Sequence, residues 1–426
     1  MLDYRYIKEN LESVVENVKR RKVKADPLLV VRLYDERNDH LHRIEELRKK
    51  RNENASKMKV KLPDKERKLL VEEGKRLKES IATEEEVLFE IERKLYEEAL
   101  KIPNMTHPEA PVGEGEGDNV EIKRWGEIPS FSFKPKDHVQ IGKELDLVDF
   151  DTATKVSGQK FYYLKNEAVI LELALVRYAL DILSGEGFTV TITPDIAKDE
   201  IAQGIGFNPR GEESNIYRIE GTDTCLVGTA EITLGGYYSK EILDPSTLPI
   251  KMAGLSHCFR REAGAAGQFS KGLYRVHQFT KVEMFIYCHP SKSDEMHKYL
   301  LDIEEKVFQG LGIAYRIVDT CTGELGGPAY RKFDIEAWMP GRGENGDWGE
   351  VTSASNCTDY QARRLGVRFK ENGKRRFVHM LNGTAIAVSR ALLALLENYQ
   401  REDGSVGIPE ALIPYTGFSE IGHSRS

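Results

Sequence analysis

Between His257 and Glu283 the chain reads HCFRREAGAAGQFSKGLYRVHQFTKVE. Arg260, Arg261, Glu262, Lys271, Arg275, His277, Lys281 and Glu283 fall in two segments whose pattern predicts mostly buried strands. A charge in such a strand costs several kcal/mol unless it is paired or meets a ligand. The intervening Ala263 to Gly272 is rich in Gly and Ala and reads as a turn or loop. Two charge-studded antiparallel strands joined in this way suit the floor of a pocket for a large polyanion. Arg260 is a planar donor matched to phosphate, whereas Glu262 and Glu283 would recognise amino or hydroxyl groups. A surface hairpin with solvated charges is the plainer alternative for a short run of this kind.

The elements that must position these groups divide into two parts. The chain has 426 residues, 40% hydrophobic and 31% charged, which is enough for one large core and suggests two domains. Residues 1 to about 100 are nearly free of Gly and Pro and rich in Glu, Lys, Arg and Leu, the composition of long helices. Leu70, Gly74, Leu77, Ile81, Glu84, Leu88, Ile91 and Leu95 recur at alternating spacings of four and three, a coiled-coil seam. Asp26 to about Lys57 supplies the partner helix, with Val30, Tyr34, Leu41 and Ile44 on one stripe and Arg37, Arg48 and Arg51 interrupting it. Pro63 breaks the helix between the two and Asp64 could cap the next, so an antiparallel hairpin is expected. Its far end, residues 48–61, holds seven Lys/Arg and one Glu, a cationic tip that could meet a phosphate backbone or simply be solvated.

The domain boundary is expected in a Pro- and Gly-rich linker, residues 102–119, which separates an arm (1–101) from an α+β domain (120–426). In that domain Glu167 to Glu186 reads as a helix, 187–194 as a strand, His297 to Leu311 as a helix and Ala385 to Tyr399 as a last, apolar helix. The net charge of −7 excludes indiscriminate nucleic-acid binding, so any RNA contact must come from a local patch. Five scattered cysteines with no CxxC pair read as buried thiols rather than a zinc site. Neither a signal or transit pattern nor an apolar run near ~20 residues is present, so a cytoplasmic, non-membrane protein is expected.

Further constellations lie outside that first stretch: GFTVTITP (187–194), Thr229-Ala230-Glu231, GEVTSASNCTDYQARRLGVRF (349–369) and LNGTAIAVSRALLALLENYQ (381–400). Taken with residues 257–283, in this order and over essentially the whole length, they resemble the seryl-tRNA synthetases of class II, bacterial or organellar type. The resemblance implies an N-terminal helical hairpin followed by a class II domain, an antiparallel sheet flanked by helices, assembled as a homodimer through the 187–194 strand. It implies that Arg260 binds the ATP α-phosphate, Glu262 the adenine amino group, and that Val276 and Phe279 enclose the ring. Arg390 is the expected γ-phosphate contact, and Arg261, Val351 and Thr352 join the nucleotide set. Glu350 and Ser353 would hold Mg²⁺ between the phosphates. For serine, Thr229, Ala230 and Glu231 form the ammonium side, and Glu283, Asn382 and Thr384 the hydroxyl side.

The same resemblance implies ligation of serine to tRNA(Ser) through a seryl-adenylate, with tRNA(Sec) as a second acceptor and the arm as the tRNA grip. Ala385, Ala387 and Ser389 stand where the family more often has glycine, and Thr384 where serine is common. Acylation of a carrier protein would not need the arm, and a non-catalytic paralogue would not need Arg260, Glu262, Glu283 and Arg390 together.

Overall fold

The computed structural model describes residues 1–208, 215–262 and 270–422, so most of the expected Gly/Ala loop, residues 263–269, lies outside the described residues. The chain divides into Met1–Met105 and Thr106–Ser426.

In the first unit two short helices, Tyr4–Glu9 and Leu11–Arg20, precede the long helices α1 (Pro27–Lys57) and α2 (Asp64–Lys101). Helix α1 starts where Asp26 accepts from the Leu29 amide and Pro27 takes the first helical position, where its missing N–H is no loss. Pro63, not Asp64, is the residue before α2; Asp64 makes no side-chain cap and contributes a negative charge in the first turn. The two helices run antiparallel, since Arg37 pairs with Glu92, Arg48 with Glu85 and Asn54 Nδ2 with the Leu70 carbonyl. Val30, Leu33, Ile44, Leu77, Ile81 and Leu95 are buried between or beside them. The polar seam position Glu84 meets His40 at 2.6 Å, which explains its place in an apolar stripe. The cations of residues 48–61 are all exposed, including Arg48 and Arg51, so the seam is no longer enforced near the tip.

The second unit is built on an eight-stranded sheet. Its strands are β1 (Val120–Trp125), β2 (Thr189–Ile192), β3 (Ile250–Phe259), β4 (Gln278–Cys288), β5 (Tyr315–Asp319), β6 (Arg331–Met339), β7 (Asp347–Asn356) and β8 (His379–Ala387). They lie in the order β1-β5-β6-β7-β8-β4-β3-β2, and every neighbouring pair is antiparallel except β3 with β2 at the edge. Helices α3 (His138–Glu144), α4 (Glu167–Gly185), α5 (Glu231–Gly236), α6 (Ser293–Gly310) and α7 (Val388–Asn398) pack around it. The α+β class is as expected.

Strand β4 shows how the layers form. Val282, Met284, Ile286 and Cys288 enter the main core, while Phe285 and Tyr287 enter a second apolar cluster on the other face. The period of two sends alternate side chains to opposite faces, so a strand buried on both sides reads as a continuous apolar run. The residues of that second face continue from Tyr287 and Phe285 to Glu283, Lys281 and Phe279, where the apolar cluster gives way to charge.

Several expected boundaries shift. Helix α6 begins at Ser293 and ends at Gly310. Ala385–Ala387 belong to β8, not to the last helix, because they remain hydrogen-bonded to β4 up to Ala387 opposite Lys281. Arg260 to Glu262, Arg275 and His277 lie beyond the strand ends rather than within the strands. Of the expected linker, residues from His107 on hydrogen-bond within the second unit: His107 to Tyr330, Thr322 to Pro111 and Gly323 to Gly113.

All five cysteines are buried thiols, and among the described residues no helix is long and apolar enough to cross a membrane. Ile81 is 5% exposed in the arm. Ile81→Ala should cost about 2–4 kcal/mol of local stability. Hydrogen exchange should then accelerate at α1 and α2 amides while the sheet keeps its protection.

Candidate functional site

One cavity on the charged face of β4 collects Thr229, Glu231, Arg260, Glu262, Val276, Phe279, Glu283, Glu350, Val351, Thr352, Ser353, Asn382, Thr384 and Arg390. Two of the expected residues are not in it. Ala230 is fully buried beneath the sheet, where a Cβ added at Gly254 would come within 3.0 Å of it, so it packs rather than faces the cavity. Arg261 is exposed, its amide tied to the Asn215 carbonyl.

Two irregularities in the sheet bring distant side chains onto this face. Along β7, Ile335 pairs with Thr352 and the next residue, Glu336, with Glu350, so Val351 is an extra residue. That bulge allows Glu350 and Ser353, three apart, to line the same cavity, which regular alternation would forbid. On β8, Thr384 pairs with Glu283 and Ile386 with Val282, leaving Ala385 extra. Asn382, Thr384 and Ala387 therefore all face the cavity.

At one end two carboxylate residues, Glu283 and Glu231, are linked through Thr229. The Thr229 hydroxyl donates to Glu283 Oε2 at 3.2 Å and accepts from the Glu231 amide at 3.2 Å. Glu283 is 2% exposed and forms an ion pair with Lys281, itself 5% exposed. Opposite, Glu231 Oε1 accepts from Gln361 Nε2 at 2.8 Å and from Asn382 Nδ2 at 3.0 Å. Burial, and then the neighbouring Glu283 charge, push the Glu231 carboxyl up to about 7. This end can present to a small zwitterion one carboxylate already paired with a lysine and one that lacks a cationic partner.

The other end is cationic and aromatic. Arg260 donates from Nε to the Gly228 carbonyl at 3.1 Å, and its guanidinium lies 5.3 Å from the Phe279 ring centre. His277 Nδ1 lies 2.7 Å from the Arg260 carbonyl, an acceptor, so Nδ1 carries the proton. Glu262, with φ of 49°, pairs with Arg275 at 3.2 Å. Arg390 Nη1 reaches both the Glu350 carbonyl at 3.0 Å and Glu350 Oε1 at 2.9 Å, and its guanidinium sits 4.8 Å over the Tyr274 ring. Burial would raise the Glu350 carboxyl, but Arg390 and Lys332 outweigh it and hold it below the usual value. An ionised carboxylate with Oε2 not used by Arg390, on the same face as a Ser353 hydroxyl, is an oxygen donor set of the kind Mg²⁺ takes.

Lys281, Tyr274 and Gln361 are further side chains at the site, beyond those the sequence marks. Lys281 lay between Phe279 and Glu283 at period two, a signal that was available. Tyr274 and Gln361 carried none, because their contacts arise from segments far apart in the chain.

Glu231→Gln tests the titration. In the unliganded protein the Glu231 carboxyl is raised above its unfolded value, so its proton stabilises the fold fully below about 4.5. That contribution is lost as pH rises through about 7. The variant should gain stability relative to wild type across that window, by on the order of 3 kcal/mol above it. Denaturation curves at pH 5 and pH 8.5 check this; a pH-independent difference would contradict it.

Comparison with known proteins follows the same division of the chain. The model of the seryl-tRNA synthetase N-terminal domain matches residues 1–106, and that of the tRNA synthetase class II core domain (G, H, P, S and T) matches residues 216–399. A serine–tRNA ligase of Treponema denticola is 63% identical over 423 residues, covering 99% of this chain and 100% of that protein. One from Rubrobacter xylanophilus is 57% identical over 426 residues, covering 100% of both. Among solved structures, the seryl-tRNA synthetase from Pyrococcus horikoshii complexed with ATP is similar at a TM-score of 0.92 and 42% identity, covering 100% of both chains. The cytoplasmic serine–tRNA ligase from Naegleria fowleri in complex with AMP gives 0.87 at 32% identity, covering 100% of this chain and 99% of that one. Similarity on this scale, end to end in both sequence and fold, leaves no separate origin for either unit: the chain belongs to the seryl-tRNA synthetase family.

Proposed function

We propose that this enzyme attaches L-serine to tRNA(Ser) in two steps, forming seryl-adenylate from serine and ATP and then esterifying the tRNA 3′ end. The observation that carries the reading is the joining, in one cavity, of the Glu231–Thr229–Glu283 carboxylate end to the Arg260–Phe279 and Arg390–Glu350 end. In the first step a serine carboxylate oxygen bonds to the α-phosphorus and the bond to the bridging oxygen breaks, releasing pyrophosphate. In the second a ribose hydroxyl of the terminal adenosine bonds to the acyl carbon, and AMP leaves.

Each residue has a part that its surroundings support. Glu231 takes the serine ammonium, which would return its carboxyl to the ionised form. Glu283, with Thr384 opposite it and Asn382 nearby, receives the serine hydroxyl. A site of buried polar groups built around that hydroxyl would reject alanine, which leaves them unpaired. Arg260 is already fixed by Gly228 and Phe279, so it can meet charge developing on the α-phosphate without reorganising. Arg390 reaches the terminal phosphate, while Glu262, Val276 and Phe279 hold adenine. Glu350 and Ser353 would hold Mg²⁺, which when bound would supply charge neutralisation for the phosphates. No step needs a covalent enzyme intermediate; positioning and charge neutralisation suffice.

The arm is the grip for tRNA, supported by the exposed cations of residues 48–61, and would serve tRNA(Sec) as well. A homodimer is supported by apolar side chains left exposed on β2 and α4, Ile192 at 83% and Leu173 at 61% among them. A cytoplasmic setting suits five buried cysteines held as thiols.

Arg260→Ala should reduce serine-dependent ATP–pyrophosphate exchange by about 100-fold or more with the fold unchanged; near-normal exchange would remove the phosphate assignment. Deleting residues 30–96 should spare that exchange but severely weaken tRNA charging. Equal loss of both activities would contradict a separate tRNA-binding arm.

A further inference from the structure

Arg390 is held from below by a turn, and that turn is held in its place by a buried histidine. Gly272–Tyr274 form a single 3₁₀ turn, and Arg390 Nε lies 3.4 Å from the Tyr274 carbonyl while its guanidinium covers the Tyr274 ring. The Leu273 amide in the middle of this turn donates to His138 Nε2 at 3.1 Å. Nε2 is therefore the unprotonated nitrogen, and Nδ1 carries the hydrogen that it donates to Glu397 Oε1 at 2.7 Å. Glu397 also accepts from the His138 amide at 2.9 Å and from the Gly341 amide at 2.8 Å, so its carboxylate is satisfied by three donors. His138, Leu273 and Glu397 are all buried, at 5%, 0% and 2% exposure.

The packing leaves little freedom. A Cβ at Gly272 would sit 2.2 Å from His138 Nε2, and Gly272 has φ of 59°, so the residue before the gripped amide must be glycine. Lys271, one residue further back, pairs with Asp137 at 2.6 Å, and Asp137 is the residue whose side chain caps α3. The cap and the first residue of α3 thus hold Lys271 and Leu273, on either side of Gly272.

We propose that His138, oriented by Glu397, is a positioning residue for nucleotide binding. It grips the Leu273 amide and so fixes the turn on which Tyr274 carries Arg390. The inference rests on Arg390 being a nucleotide contact, as argued above. His138 itself touches no substrate; it acts through Leu273 and Tyr274. A packing role alone would be indifferent to which nitrogen of the ring accepts a hydrogen bond, and that difference can be measured.

His138→Gln and His138→Asn separate the two roles. A glutamine carries its amide group out to the position of Nε2 and can accept from Leu273; an asparagine ends at the level of Nδ1 and cannot. Leu273 amide exchange is followed in the unliganded protein, and ATP and serine KM values in the pyrophosphate exchange reaction. His138→Asn should expose the Leu273 amide and raise the ATP KM about tenfold, with the serine KM unchanged. His138→Gln should recover most of both losses. Gly272→Ala, whose Cβ would force the turn and the His138 ring apart, should reproduce the His138→Asn pattern. Equal behaviour of Gln and Asn, or parallel rises in both KM values, would overturn the proposal. Failure of the wild-type protein to support exchange would instead remove the ligase reading, and the Leu273 amide would still report on the grip.

Discussion

Everything at the centre of this molecule follows from the need to keep ionised groups inside a sheet. Glu283 and Lys281 are almost inaccessible, on adjacent same-face positions of a strand whose opposite face is main core. Either charge alone would cost several kcal/mol, and removing one partner would leave that cost uncompensated. The solution is local pairing: Lys281 with Glu283, Arg390 with Glu350, Arg275 with Glu262. Glu231 has amide donors rather than a cation partner, and burial, with the Glu283 charge beside it, holds its carboxyl up to about 7. A cationic guest is what that position lacks.

Pairing fixes the groups before any substrate arrives. Arg260 is held by a backbone carbonyl and an aromatic face, Arg390 by Glu350 and Tyr274, and the Tyr274 turn in turn by His138 and Glu397. Charge that develops at phosphate oxygens would meet donors that need not move, which is where electrostatic catalysis gains most. Gly254 opposite Glu283 has the corresponding steric role, since a side chain there would collide with Leu234, Ala230 and Thr193 and push away the helix that begins at Glu231.

The sequence disclosed the identity of the charged groups more readily than their geometry. Arg260, Glu262, Glu283 and Arg390 were legible because charge inside an apolar pattern is unusual, and Leu77, Ile81 and Leu95 because a seven-residue repeat is long enough to be unambiguous. The bulges at Val351 and Ala385 left no local signature: one additional residue looks the same as none until the partner strand is known. That is why Ala385–Ala387 read as the start of a helix, small residues being equally at home there. Arg261 and Ala230 sit beside site residues in the chain, but Ala230 turns into the apolar cluster at the start of a helix and Arg261 into solvent. His138 and Glu397, 259 residues apart, could be joined only by the fold.

The most direct test of the central claim, that this cavity unites a serine end with a nucleotide end, is amino-acid-dependent ATP–pyrophosphate exchange. It would be run without tRNA across the twenty amino acids. The account predicts exchange with serine and none with alanine, because only serine fills the buried acceptors around Glu283. Exchange supported equally by alanine, or by no amino acid in a folded protein that still binds tRNA, would contradict it.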